Sequence, residues 1–359
     1  MLFGGNRTGF SSKLQETVWA YGRAVVPFDV STAEITDKEM LAGLRQVYDF
    51  NAGVFSALFE KPEKYIVKQD YDDPGTRAIS ILRFLCEFAK LDAVRLEGDE
   101  WVIKPSDLKP AQLSKITEQL KKLDLLAPMG LSCEKKDGDI RITNTQYPMF
   151  VRYYVMLVDA AVKRKAYIWH NIVFCDFRIL NKRLGLKFDD TIRSFTENNK
   201  AFALELHDFL LSKGCKPSYT IRGTLYEYNK YDMTNICGMV HERCRNHGDL
   251  KDMSITLNPT AKLGRHEKNE LYENMVNEIE KLPNRDEMLS YMSKYRKRCA
   301  GEQCVGRVAE FCFCLDLKIA VNAENSDFST NHDMKMIKLF LDLRIKAIDN
   351  LKQSVRWNM

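Results

Sequence analysis

The chain has 359 residues, 45% of them hydrophobic and 29% charged, which is enough apolar material for two cores and excludes a disordered chain. Its net charge of +5, from 54 basic and 49 acidic residues, is a mild excess that permits an anionic partner without demanding one. Met1 to Phe10 is glycine-rich and polar with no apolar run, so the ten cysteines are expected to be reduced thiols in a cytoplasmic protein.

In chain order, residues 13–23 read as a short helix closed by Pro27. Thr36 or Asp37 caps a helix over 38–59, whose apolar positions Leu41, Leu44, Val47, Val54, Phe55 and Leu58 recur at helical spacing. Asp73-Pro74-Gly75 is a turn. Ile79, Ile81, Leu82, Leu85, Phe88 and Leu91 mark one side of a second helix. Residues 94–103 read as a hairpin around Gly98-Asp99. Lys109-Pro110 opens a helix carrying Leu113, Ile116, Leu120 and Leu123, with proline in its first turn. A second hairpin over 133–143 turns at Asp137-Gly138. Residues 148–163 are helical, and more helix is expected toward Leu184. The apolar piece at 150–162 is broken by Arg152 and Asp159, so it reads as a buried helix, and no membrane is expected as a partner.

A further helix begins near Phe188, breaks near Asn198-Asn199-Lys200, the candidate linker, and ends at Gly214. A strand or hairpin containing Gly223 is expected at 219–228 and strands at 236–244 and 253–257, followed by helices at 267–281 and 285–297. From Ala309 to Val321, apolar residues alternate with Glu310, Cys312, Cys314, Asp316 and Lys318, which predicts one long strand. A helix over 332–351 closes the chain. The fold class is therefore α+β: a mostly helical domain over 1–195, then a domain over 196–359 with a small antiparallel sheet and flanking helices.

The block from Ile79 to Thr143 resembles a winged-helix domain: helix, small β-element, helix, basic-tipped hairpin. It departs from the usual pattern in having one clear helix between its hairpins instead of two. The resemblance implies a helix in a DNA groove and a hairpin along the backbone, as in a transcriptional regulator. Lys115, Lys121, Lys122, Lys135, Lys136 and Arg141 would then contact phosphates. The competing reading is a solvated helix face and hairpin rim.

Residues 163–187 interleave Lys163, Arg164, Lys165, Arg178, Lys182, Arg183 and Lys187 with Tyr167, Trp169, Phe174 and Phe177. Cations among aromatics suit a nucleic acid or an anionic small molecule, and equally an amphipathic segment with its rings turned inward.

In the second half, Cys237, His241, Cys244 and His247 form one group and Cys299, Cys304, Cys312 and Cys314 another. These are zinc's preferred ligand types, without the paired spacing of a known finger; on a strand, Cys237 and His241 share a face and Cys244 points away. Zinc, on the second group, is the cofactor the sequence offers. The run Arg296-Lys297-Arg298-Cys299 places cations beside a thiol, which favours thiolate reactivity. Tyr219, Tyr226, Tyr228, Phe311 and Phe313 are the expected aromatic walls of a ligand site.

The segment from Phe209 to Pro217, the strands after it and the late cysteine run are similar to a group of uncharacterised proteins from anaerobic Gram-positive bacteria. That resemblance implies a bacterial origin and a separate second domain, and brings no activity with it. No glycine-rich phosphate loop, His-Glu-x-x-His, Gly-x-Ser-x-Gly or Cys-x-x-Cys occurs. The expectation is a ligand- or nucleic-acid-binding protein. Its rivals are an enzyme using a reactive cysteine or a metal, and a structural or interaction protein. Nothing in the sequence specifies an oligomeric state.

Overall fold

The computed structural model describes residues 2–3, 9–67, 77–164, 168–181, 185–193, 195–220, 223–228, 236–240, 251–257, 265–293, 307–308, 311–312, 317–322 and 330–356. The chain is α+β and divides into two compact units, the first holding Met1–Gly185 and the second Leu186–Cys244 and Asp249–Met359. Phe188, Ile192 and Phe195, which precede residue 196, pack in the second unit's core. The turn expected at Asp73-Pro74-Gly75 lies outside the described residues. No helix among the described residues is long and apolar enough to cross a membrane.

The first unit begins with α1 (Lys13–Arg23), α2 (Phe28–Ser31) and α3 (Lys38–Glu60). Asp37 caps α3, its carboxylate accepting the Met40 amide at 2.8 Å. Then follow α4 (Ser80–Phe88), β1 (Arg95–Glu97), β2 (Glu100–Ile103), α5 (Pro110–Leu123), β3 (Leu131–Lys136), β4 (Asp139–Asn144), α6 (Phe150–Lys163) and α7 (Ile168–Val173). The two hairpins join into one antiparallel sheet in the order β1-β2-β4-β3, because β2 pairs with β4. Asp137 (φ 53) and Gly138 (φ 87) supply the two left-handed residues of the tight turn between β3 and β4.

The apolar side of this sheet and the stripes of α3, α4 and α6 form one core. Trp101 of β2 is its largest buried side chain, with Phe88, Tyr154 and Phe150 rings 5.6, 6.1 and 6.4 Å away. Where α3 meets α6, Gly43 leaves room for the Tyr153 ring: a Cβ there would sit 2.0 Å from it. The helix expected to continue toward Leu184 is instead divided. Arg164 ends α6, α7 is short, and a 3-10 turn occupies Phe177–Leu180. Between them Cys175 takes a left-handed conformation (φ 54), which a continuous helix cannot contain.

The second unit holds α8 (Phe188–Ile192), α9 (Glu197–Ser212), β5 (Lys216–Thr220), β6 (Gly223–Glu227), β7 (Cys237–Val240), β8 (Lys251–Leu257), α10 (Arg265–Glu280) and α11 (Arg285–Ser293). After them come β9 (Arg307–Val308), β10 (Phe311–Cys312), β11 (Leu317–Asn322) and α12 (Thr330–Arg356). A five-stranded antiparallel sheet runs β11-β8-β7-β6-β5. Its inner face carries Tyr226, Cys237, Met239, Met253, Ile255 and Leu257, which pack with α9, α10 and α12.

Two expectations are corrected here. Asn198-Asn199-Lys200 is not a linker: it forms the first turn of α9, and Asn199 is buried. Residues 309–321 are not one strand. Of the described residues in this stretch, Phe311 and Cys312 pair antiparallel with β9 in a separate two-stranded sheet, and Leu317–Asn322 joins the main sheet, beside β8.

Candidate functional site

The cationic positions of the first unit rest on α5 and the β3–β4 hairpin. Pro110 starts α5, and the Lys109 amide donates to Gln112 Oε1 at 3.0 Å, closing the first turn. Only Ile116 and Leu123, two turns apart on one stripe, are buried along its fourteen residues. The remaining faces of the helix reach solvent, and Lys115 and Lys121 are exposed. Lys122 is bound to Glu118 one turn back at 3.0 Å, and that hydrogen bond holds the Glu118 carboxyl below its usual range.

Strand alternation separates the hairpin cations. Lys135 opposes the buried Ile140, and Cys133 opposes Ile142, so both lie on the sheet face that packs toward the helices. Burial raises the Cys133 thiol pKa, and Asp124 raises it further; the 3-10 turn Asp124–Met129, which follows α5, packs against β3. Lys136 and Arg141 point to the opposite face. There the Arg141 guanidinium meets Glu100 at 2.6 Å and Glu97 at 3.9 Å. Lys115 and Lys121 are thus exposed on α5, Lys135 lies on the helix-facing side of the sheet, Lys122 and Arg141 are engaged with carboxylates, and Lys136 shares the face of Arg141. Between Arg95 and Arg141 the chain carries nine basic and nine acidic residues, so the block as a whole is neutral.

In the basic segment over 163–187, Lys163, Arg164 and Lys187 are exposed, whereas Arg178 and two of the aromatics are used in packing. Arg178 is buried and held by Asp176 through two bonds of 2.7 and 2.8 Å. Phe174 stacks on Tyr21 and Phe177 sits edge-on to Phe28. Lys165, Tyr167, Lys182 and Arg183 lie outside the described residues.

In the second unit, Tyr219, Tyr226 and Tyr228 lie together on the inner side of the sheet, packed in or against the core. Tyr226 is fully buried, with its hydroxyl 2.6 Å from His207 Nδ1. Tyr228 donates to both Asp349 oxygens, at 3.0 and 2.9 Å. Phe311 belongs to the separate β9–β10 sheet, and Phe313 is outside the described residues. Of the cysteine and histidine groups, Cys237 is buried on β7 and Cys312 lies on β10. His241, Cys244, His247, Cys299, Cys304 and Cys314 are outside the described residues. Among those described, no three His, Cys, Asp or Glu side chains converge as a metal site would require. Burial pushes the Cys86 and Cys175 thiols up to about 12 and Cys215 to about 11, the direction opposite to a poised nucleophile.

No protein-family model, curated protein or solved structure matches the chain.

Sequence reasoning missed three features. Glu97 and Glu100 engage Arg141 across strands, which linear spacing does not encode. His207 joins Phe188 and Tyr226, residues separated along the chain. Asn51 was legible: it sits on the apolar stripe of α3, four residues after Val47 and four before Phe55. It is fully buried, and its Nδ2 donates to Ile172 O at 2.8 Å and to Cys175 Sγ at 3.4 Å.

Proposed function

We propose that the chain is a non-catalytic binding protein of the regulator type, whose first unit contacts a nucleic-acid backbone through α5 and the helix side of β3. The exposure of α5 carries this reading. A helix that buries only Ile116 and Leu123, with Leu120 partly buried beside them against the core, offers its remaining faces to a partner, and Lys115 and Lys121 lie on it without an ion pair among the described residues. Lys135 lies on the helix-facing side of β3 and adds a third cation to the surface proposed. The β2-β4-β3 arrangement behind α5 supports the winged-helix-like reading of this block.

Magnitudes set the kind of binding. Three free lysines on a neutral block give about three phosphate contacts, hence a slope of about −3 in log K against log salt. That corresponds to salt-sensitive, sequence-independent binding, with dissociation constants of about 10⁻⁴ to 10⁻⁶ M at physiological salt. A fluorescence-anisotropy titration of mixed-sequence duplex DNA across salt concentrations tests it. The expected outcome is binding at low salt, with the slope reduced by about one for each of Lys115→Ala, Lys121→Ala and Lys135→Ala. Failure to bind at low salt removes the proposal.

A further inference from the structure

A polar junction in the second unit, where α8, α9 and β6 meet, lies outside the proposed interface. His207, half-buried on α9, stacks on Phe188 of α8 with ring centroids 3.9 Å apart and planes 11° apart. Its Nδ1 is 2.6 Å from the hydroxyl of Tyr226 on β6. Beside it Thr191 of α8 meets Thr224 of β6, hydroxyl to hydroxyl, at 2.7 Å in a buried position. One imidazole thus ties two helices to a central strand.

We propose that His207 and Tyr226 form a pH-sensitive latch, closed when the imidazole is neutral and opened by protonation at Nδ1. Hydrogen-bond inventory gives the direction. Tyr226 is fully buried, and among the described residues its hydroxyl has no partner other than His207. The phenolic proton must therefore go to Nδ1, which fixes neutral His207 with its proton on Nε2. Once Nδ1 carries a proton it can only donate, and the tyrosine proton is left without an acceptor in a site closed to water.

Neighbouring groups do not reverse this. Burial lowers the His207 pKa from the usual 6.5, and Asp208 on the same helix opposes that shift as the smaller influence. Around Tyr226 stand Cys215, Tyr219 and Cys237, and burial holds the Tyr226 phenol and the Cys215 and Cys237 thiols protonated. Phe188 stacks on the ring without charge, and its face weakly favours a cation. With a folded-state pKa below the unfolded one, the latch is complete above about pH 6.5 and is lost as pH falls through the folded value.

Imidazole NMR of the ¹⁵N-histidine-labelled full chain tests the latch, together with hydrogen exchange at about pH 7.5 and about pH 5.5, corrected for intrinsic rates. His207 is expected as the Nε2–H tautomer, with a midpoint below 6.5. Amides of 188–192 and 223–227 are expected to lose protection at the lower pH. In Tyr226→Phe the midpoint moves up, and the extra loss of protection disappears. An Nδ1–H tautomer, a midpoint at or above 6.5, or pH-independent protection in the wild-type chain overturns the proposal. The wild-type readings decide it even where the variant does not fold.

Discussion

Asn51 lies where the helical period of α3 calls for an apolar side chain, and the structure gives the reason for a polar one. Its amide reaches residues 172–175, where the left-handed Cys175 interrupts the helical path after α7. Asn51→Ala leaves the Ile172 carbonyl without this donor and removes packed volume. The expected loss is about 1–3 kcal/mol, read as a lowered urea midpoint for the first unit. Asn51→Leu restores volume without restoring the bond, so it is expected to recover only part of that loss. A polar residue inside an apolar stripe was visible in the sequence. Its partner, more than a hundred residues away, was not, because burial pairs groups through space.

At the scale of elements, local chemistry was the most legible. Asp37, Lys109-Pro110, Asp137-Gly138 and Gly214 each act within a few residues, and each sits at the helix end or turn it signals. Pairing between elements was not legible, because the contact joining β2 to β4 spans the whole of α5. The strand drawn through 309–321 was misread for a related reason. Alternation is common to all strands, so it does not show that Phe311–Cys312 and Leu317–Asn322 belong to different sheets. The Asn198-Asn199-Lys200 reading failed because polarity imitates a linker, whereas Asn199 is enclosed by its surroundings. The α3–α6 contact gives a direct test of packing. Gly43→Ala forces the Tyr153 ring to move, and an overpacking cost of about 1–3 kcal/mol is expected in thermal unfolding. A smaller partner without a ring, Tyr153→Leu, is expected to relieve much of it.

For the whole molecule, the α+β class followed from the texture of the sequence, helices dominating the first half and strands clustering in the second. Each unit has its own hydrophobic cluster, built around Trp101 in one and around α12 and Tyr226 in the other. A fragment covering residues 1–185 is therefore expected to unfold cooperatively by circular dichroism with a native helix signature. The candidate contact surface was legible as residue types on α5 and the hairpin. Its division into two faces, with carboxylates engaging Arg141 and Lys122, required the strand register and the helix periodicity together.

The position of β3 at the rim of its sheet has a bearing on how that surface can vary. Among the described residues one side of the strand has no neighbour within the sheet, and such a rim invites pairing with another chain's backbone. Glu134, Lys135 and Lys136 line it with charge, which discourages that outcome whatever else these side chains touch. Replacing them with valine or isoleucine would thus test two properties at once, partner contact and resistance to self-assembly. Glutamine or glutamate at the same positions keeps the rim polar, so a lost partner is not mistaken for aggregated protein.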